Sequence, residues 1–182
     1  MFGWFANRDR ERIVARVYGE IVAQARQPVF YATLGVPDTV EHRYEMMVLH
    51  VFLLLHRFRD EDARAKDAAQ EVCDRFFLEM DRAMREMGVG DLTVPKRMRK
   101  IAGLYTTRAA AYTQALAQAD DVALAAELAR TVVAEGEPAF KAERLATYVR
   151  ETVRAQHDVP AMALIEQRVV FPDANAFSGV AG

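Results

Sequence analysis

One cysteine, one serine and one tryptophan occur in 182 residues. A lone Cys73 excludes an internal disulfide and a cysteine-cluster metal site, and it fits a reducing compartment. The lone serine, Ser178, stands in the C-terminal tail, so the body of the chain offers no serine nucleophile. Charge of one sign is also missing. The formal net charge is −2, and no global field draws the chain to nucleic acid or anionic lipid, so such attraction needs a local patch. Long hydrophobic runs are absent. The apolar block Met46–Leu55 is ten residues long, contains His50, and is bracketed by Glu41, His42, Arg43 and Glu45 and by Arg57, Arg59 and Asp60. A bilayer span needs about 20 mostly apolar residues. The order of a secretory signal, basic then apolar, is reversed, because apolar Met1–Phe5 precedes the charges of residues 8–12. The expected address is the cytoplasm of a bacterium.

What is present is a 52% hydrophobic, 27% charged composition, that of a folded soluble chain, long enough for one domain with a sizeable core. Apolar residues recur at helical spacing almost throughout. A first helix is expected over Asp9–Gln27, stopped by Pro28. A loop follows over residues 30–37. Asp38 is then read as an N-cap, with Glu41 completing an acidic capping box, for a second helix running to Phe58. A charged connection is expected over residues 60–67 and a third helix over 68–87, closed by Gly88 and Val89 in a Schellman ending. Thr93 and Pro95 suit the start of a fourth helix. Further helices are expected to begin at Asp120–Asp121, Pro138 and Pro160, and a frayed tail from Phe171. No strand signal survives. The expectation is an all-α, single-domain helical bundle of about six to seven helices: an apolar, mobile N-terminal segment over 1–8, the helical domain over 9–170, and the tail over 171–182.

The histidines are tested for metal or haem. Three lie on the second helix. His42 and His50 are about 80° apart around it, and His50 and His56 about 120°, so no pair shares a ligating face. The Glu-x-x-His pairs of di-iron bundles are missing, as is His-Glu-x-x-His. His50, inside the apolar block, reads as a buried histidine with a hydrogen-bond partner, while a single haem-ligating histidine stays open as an alternative. Cys73 sits on an apolar stripe that suits an inert thiol. Gly88-Val89-Gly90 follows a helix rather than a strand and has no third glycine, so it reads as a helix stop. No catalytic group, metal set or cofactor site emerges.

Two features stand out. Lys96, Arg97, Arg99 and Lys100 crowd the first turns of a helix, where the dipole is already positive. They point to an anion (phosphate, lipid headgroup, RNA or an acidic partner face), or else to neutralisation by Asp81, Glu86 and Asp91 within the fold. No aromatic interleaves them, which argues against base stacking and sequence-specific nucleic-acid reading. Methionines cluster too. Met46, Met47, Leu49, Phe52 and Leu53 on the second helix, with Phe77, Met80 and Met84 on the third, make a broad apolar surface. It is either core or an adaptable binding face for apolar helices.

The segments FYATLGVPDTVEHRYEMMVLHVFLLLHRF (residues 30–58) and MDRAMREMGVGDLTVPKRMRKIA (residues 80–102) resemble the ubiquinol–cytochrome c chaperone family, assembly factors of the respiratory cytochrome bc complex. The likeness spans roughly residues 18–116. It is carried by Tyr31, Gly35, Pro37, Asp38, Arg43, Glu45, Leu49 and His50, and by Asp81, Arg85, Glu86, Gly88, Gly90, Asp91 and Lys96. His42 and Pro95 stand where the pattern has glycine. The resemblance implies a non-enzymatic, membrane-peripheral chaperone that binds newly made cytochrome b at the inner membrane. By family analogy it also implies a small partner protein or ribosome contact. On this reading the Met-rich surface covers client helices, the basic run orients the complex on lipid phosphate or an acidic client loop, and Phe2, Trp4 and Phe5 dip into the membrane interface. A helical haem- or quinone-binding protein and a ribosome- or RNA-docking module using the basic run are the rival readings.

Overall fold

Among the residues described by the computed structural model, 3–179, with side chains from residue 8, every regular element is helical. The helices are α1 (Gly3–Ala25), α2 (Pro28–Ala32), α3 (Val40–Phe58), α4 (Ala63–Glu86), α5 (Val94–Leu116), α6 (Val122–Thr131), α7 (Ala139–His157) and α8 (Ala161–Glu166), followed by a 3-10 turn over Ala174–Phe177. They form one all-α domain. α1 begins at Gly3, within the segment expected over 1–8. The interfacial role expected of Phe2, Trp4 and Phe5 falls on side chains outside the described residues.

α3 is the central element. It packs on α1, α4, α5 and α7, and Met46, Val48, Leu49, His50, Val51, Leu53 and Leu54 have no exposed surface. This explains why its sequence is apolar around more than one stripe: a helix surrounded by neighbours has no solvent face to keep polar. α4 shows the opposite pattern, a single buried line of Ala65, Ala69, Val72, Cys73, Phe76 and Met84. Phe30, Tyr112 and Tyr148 are wholly buried and fill the layers between helices.

Local chemistry sets the ends, with three corrections. Thr39, not Asp38, caps α3: its hydroxyl oxygen accepts from the His42 backbone N–H at 3.3 Å. Asp38 instead accepts from Arg43 Nε at 2.6 Å. Pro28 does not leave a loop behind it. Its fixed φ and missing N–H suit a first helical turn, and it opens the short α2. α4 begins five residues before its expected start, because Asp62 caps it by accepting from the Ala65 N–H at 2.9 Å. The α4 ending is the expected Schellman arrangement. Gly88 has φ of 78°, its N–H donates to Arg85 O at 3.0 Å, and the Val89 N–H reaches back to Met84 O at 3.1 Å. The tail is not frayed as far as Gly179. Phe171 meets the edge of the His50 ring, Phe177 that of Tyr148, and Ala174 is buried.

Gly35 is the one motif glycine fixed twice over. Its φ is 80°, and a Cβ there would lie 2.8 Å from Lys141 Cδ and 3.2 Å from Val133 Cγ1. Its carbonyl also accepts from the Ala134 N–H at 2.8 Å, tying the approach to α3 onto the α6–α7 connection. The lysine carbon can swing away, but the left-handed backbone and the buried valine cannot. Gly35→Ala should therefore destabilise the fold by about 1–2 kcal/mol, read from the urea midpoint at unchanged slope.

Candidate client and docking surfaces

The motif residues divide into those that hold the bundle together and those that reach its surface. Glu45 belongs to the first group, and its partner is Arg108, outside the motifs. They cross from α3 to α5 with two charge-assisted hydrogen bonds, Arg108 Nε to Oε2 at 3.2 Å and Nη2 to Oε1 at 3.1 Å, and their side chains are only 12% and 13% exposed. His50 is the second such residue. Its Nδ1–H donates to the Met46 carbonyl at 2.8 Å, which fixes the tautomer and leaves Nε2 to accept from Tyr148 O–H at 2.9 Å. Gln24 Nε2 donates in turn to the Tyr148 oxygen at 3.0 Å. A polar chain thus links α1, α7 and α3 through the core. Both ring nitrogens of His50 are engaged in a closed pocket, so the haem-ligand alternative loses its ligand. Burial holds the imidazole pKa down to about 4 and pushes the Cys73 thiol up to about 11, as an inert core thiol requires. Among the described residues no group of three His, Cys, Asp or Glu side chains could hold a metal ion.

The second group gathers at one end of the bundle. α3 and α4 form an antiparallel hairpin, so the start of α3 lies at the same end as the α4–α5 turn. Tyr31 packs there with its hydroxyl donating to Ala25 O at 2.8 Å. Burial raises its pKa. Tyr31, Asp38, Arg43 and Arg26 line a shallow surface pocket of about 460 Å³. The hydrogen bond from Arg43 holds the Asp38 carboxyl below its usual pKa. In the second motif Arg85 bonds Asp81 at 2.6 Å and also pairs with Asp91, and its hydrogen bond lowers the Asp81 pKa in the same way. The Gly90 carbonyl accepts from the Thr93 and Val94 N–H groups at 2.8 and 3.2 Å, which completes the turn. Pro37 is partly buried and Glu86 exposed.

The broad apolar face expected from sequence is not a surface. Met46, Leu49 and Leu53 are fully buried, and Met47, Phe52 and Met84 nearly so. They face the fold's own core, as the alternative reading had it. Phe77 and Met80 are partly exposed while packing against that core, and Phe77 sets its ring against Tyr105. The basic run lies open. Lys96, Arg97, Arg99 and Lys100 are exposed, and among the described residues none of them makes an ion pair or side-chain hydrogen bond. The neutralisation by Asp81, Glu86 and Asp91 does not occur; Asp81 and Asp91 are taken by Arg85.

Sequence reasoning missed Leu92, 98% exposed, and counted Met87 on the apolar stripe of its helix, where the structure leaves it 64% exposed. Leu92 had a signal: it is an apolar residue in a glycine-flanked turn, off the stripes of both neighbouring helices. Arg108 had one too, since it lies at helical spacing between Tyr105 and Tyr112 on an apolar stripe, where a charge needs a buried partner.

A helical bundle whose polar interior is spent on structure leaves apolar and cationic surface as its open features, the means of a binding protein. A model of the Ubiquinol-cytochrome C chaperone family matches residues 32–171, and the chain belongs to that family of non-catalytic assembly chaperones. It is similar to the Ubiquinol-cytochrome-c reductase complex assembly factor 1 of Xenopus laevis, 25% identical over 150 residues, covering 81% of this chain and 74% of that one. It is also similar to the crystal structure of the Cbp3 homolog from Brucella abortus, with a TM-score of 0.85 and 40% identity over 96% of this chain and 98% of that one.

Proposed function

We propose that the protein works at the cytoplasmic face of a bacterial inner membrane, where it binds newly made cytochrome b and promotes assembly of ubiquinol–cytochrome c reductase. Family membership supports the assembly role. The observation that supports an apolar, membrane-lodged client is what the α4–α5 hairpin leaves open: partly exposed Phe77 and Met80 on α4 and unpaired cations in the opening turns of α5. No helix among the described residues is long and apolar enough to cross a membrane, so contact with such a client would be made from the surface.

Deleting the gene should reduce the b-type and c-type haem of the membrane complex in difference spectra, and unchanged amounts would reject the assembly role. A photo-crosslinker at Phe77 should yield an adduct with cytochrome b, while the same group at buried Met46 should yield none. If no exposed position on α4 crosslinks, the client surface lies elsewhere.

A further inference from the structure

We propose that the closed end of the α4–α5 hairpin docks the protein on an anionic bilayer. Leu92 and Met87 enter the headgroup layer, and Lys96, Arg97, Arg99 and Lys100 engage lipid phosphates. Geometry comes first. Tyr44 of α3 stacks on Phe76 with ring centroids 6.1 Å apart, and its hydroxyl donates to Ile101 O at 3.4 Å. Beyond that contact α4 runs ten residues further and α3 only four. At 1.5 Å per residue the hairpin end stands clear of α3 by about 9 Å. The Schellman ending and the Gly90 turn then hold a short, well-bonded loop with Leu92 at its apex.

An isolated exposed leucine means little. This one sits in a stretch, residues 85–100, where five cations accompany two acids in a chain whose net charge is negative. Arg85 already occupies Asp91. The four remaining cations sit in the opening turns of α5, unpaired and facing the positive end of the helix dipole, an arrangement that external negative charge relieves. An exposed apolar turn followed by exposed cations matches the layering of an anionic leaflet, with phosphate at the surface and hydrocarbon beneath. RNA fits less well, because residues 85–100 contain no aromatic side chain on which a base could stack.

The proposal deepens the membrane-peripheral part of the function above, but its test needs neither cytochrome b nor the complex. Vesicle results and the haem phenotype can therefore fail separately. The full-length protein is floated with phosphatidylcholine vesicles, with and without phosphatidylglycerol. It should partition onto the anionic vesicles, and salt should weaken binding. Lys96→Gln with Arg99→Gln should lower the partition coefficient roughly 25-fold, and Leu92→Asp roughly tenfold. These side chains are exposed, so thermal unfolding should stay unchanged. In a Trp4→Phe background, Leu92→Trp should shift its emission to the blue on anionic vesicles only. Absence of binding overturns the proposal. So does binding that survives both sets of substitutions, which would place the contact elsewhere. Charge-dependent binding that ignores Leu92→Asp, with no emission shift, overturns it in favour of a soluble polyanion or an acidic protein face.

Discussion

Glu45→Ala should lower the free energy of unfolding by about 3 kcal/mol or more, the largest loss expected from any charged residue in the protein. The carboxylate accepts both hydrogen bonds from Arg108. Without it a guanidinium that is 13% exposed stays charged with no hydrogen-bonded carboxylate, only the more distant charge of Glu127, to offset its lost hydration. The cost comes from that stranded cation rather than from the attraction itself, which gives a diagnostic. Adding Arg108→Leu to Glu45→Ala should recover much of the loss, since a matched apolar pair avoids the desolvation altogether. Urea unfolding of the two single variants and the double variant closes the cycle. A double variant as unstable as the sum of the singles would show that the pair is not coupled as described.

Acid should weaken the fold through His50, and the sign follows from burial. The imidazole titrates near 4 in the folded state against about 6.5 in an unfolded chain. Below pH 6.5 the unfolded state therefore binds more protons than the native state. The stability associated with the neutral ring is fully present above pH 6.5 and is lost as the pH falls toward 4. Between pH 7 and 5 His50 alone should account for about 2 kcal/mol. His56, which burial and Arg59 also hold down at about 4, steepens the same slope. His50→Asn should be less stable at pH 7, because Tyr148 loses its acceptor, yet it should show a distinctly shallower loss between pH 7 and 5. Equal slopes for the two proteins would remove His50 from the acid response.

Much of this was legible in the sequence, and the misses have common causes. Helical period, the Gly88 stop and the buried character of His50 and Cys73 follow from local pattern, and the two motif blocks point to the family. The cap of α3 is ambiguous in sequence because Asp38 and Thr39 are adjacent and both competent; Arg43, five residues on, draws Asp38 away and leaves the backbone to Thr39. The early start of α4 was hidden by its charge, which an exposed first turn carries without cost. The apolar face of α3 is ambiguous in principle, since a helix enclosed by its own fold and one awaiting a client have the same composition. Only the placement of α1, α5 and α7 around it decides. Arg108 and Tyr148 lie 63 and 98 residues from their partners, a separation over which a single sequence carries no pairing signal.

The hairpin end has one more consequence. Met84 and Val94 are buried there yet stand outside the continuous central cluster that joins the other helices. Substitutions at Met84 or Val94 should then couple more weakly to the central packing than substitutions within it. The surface that meets the outside world is in effect a module, whose exposed Leu92, Met87 and basic run can be altered without disturbing the interior around α3.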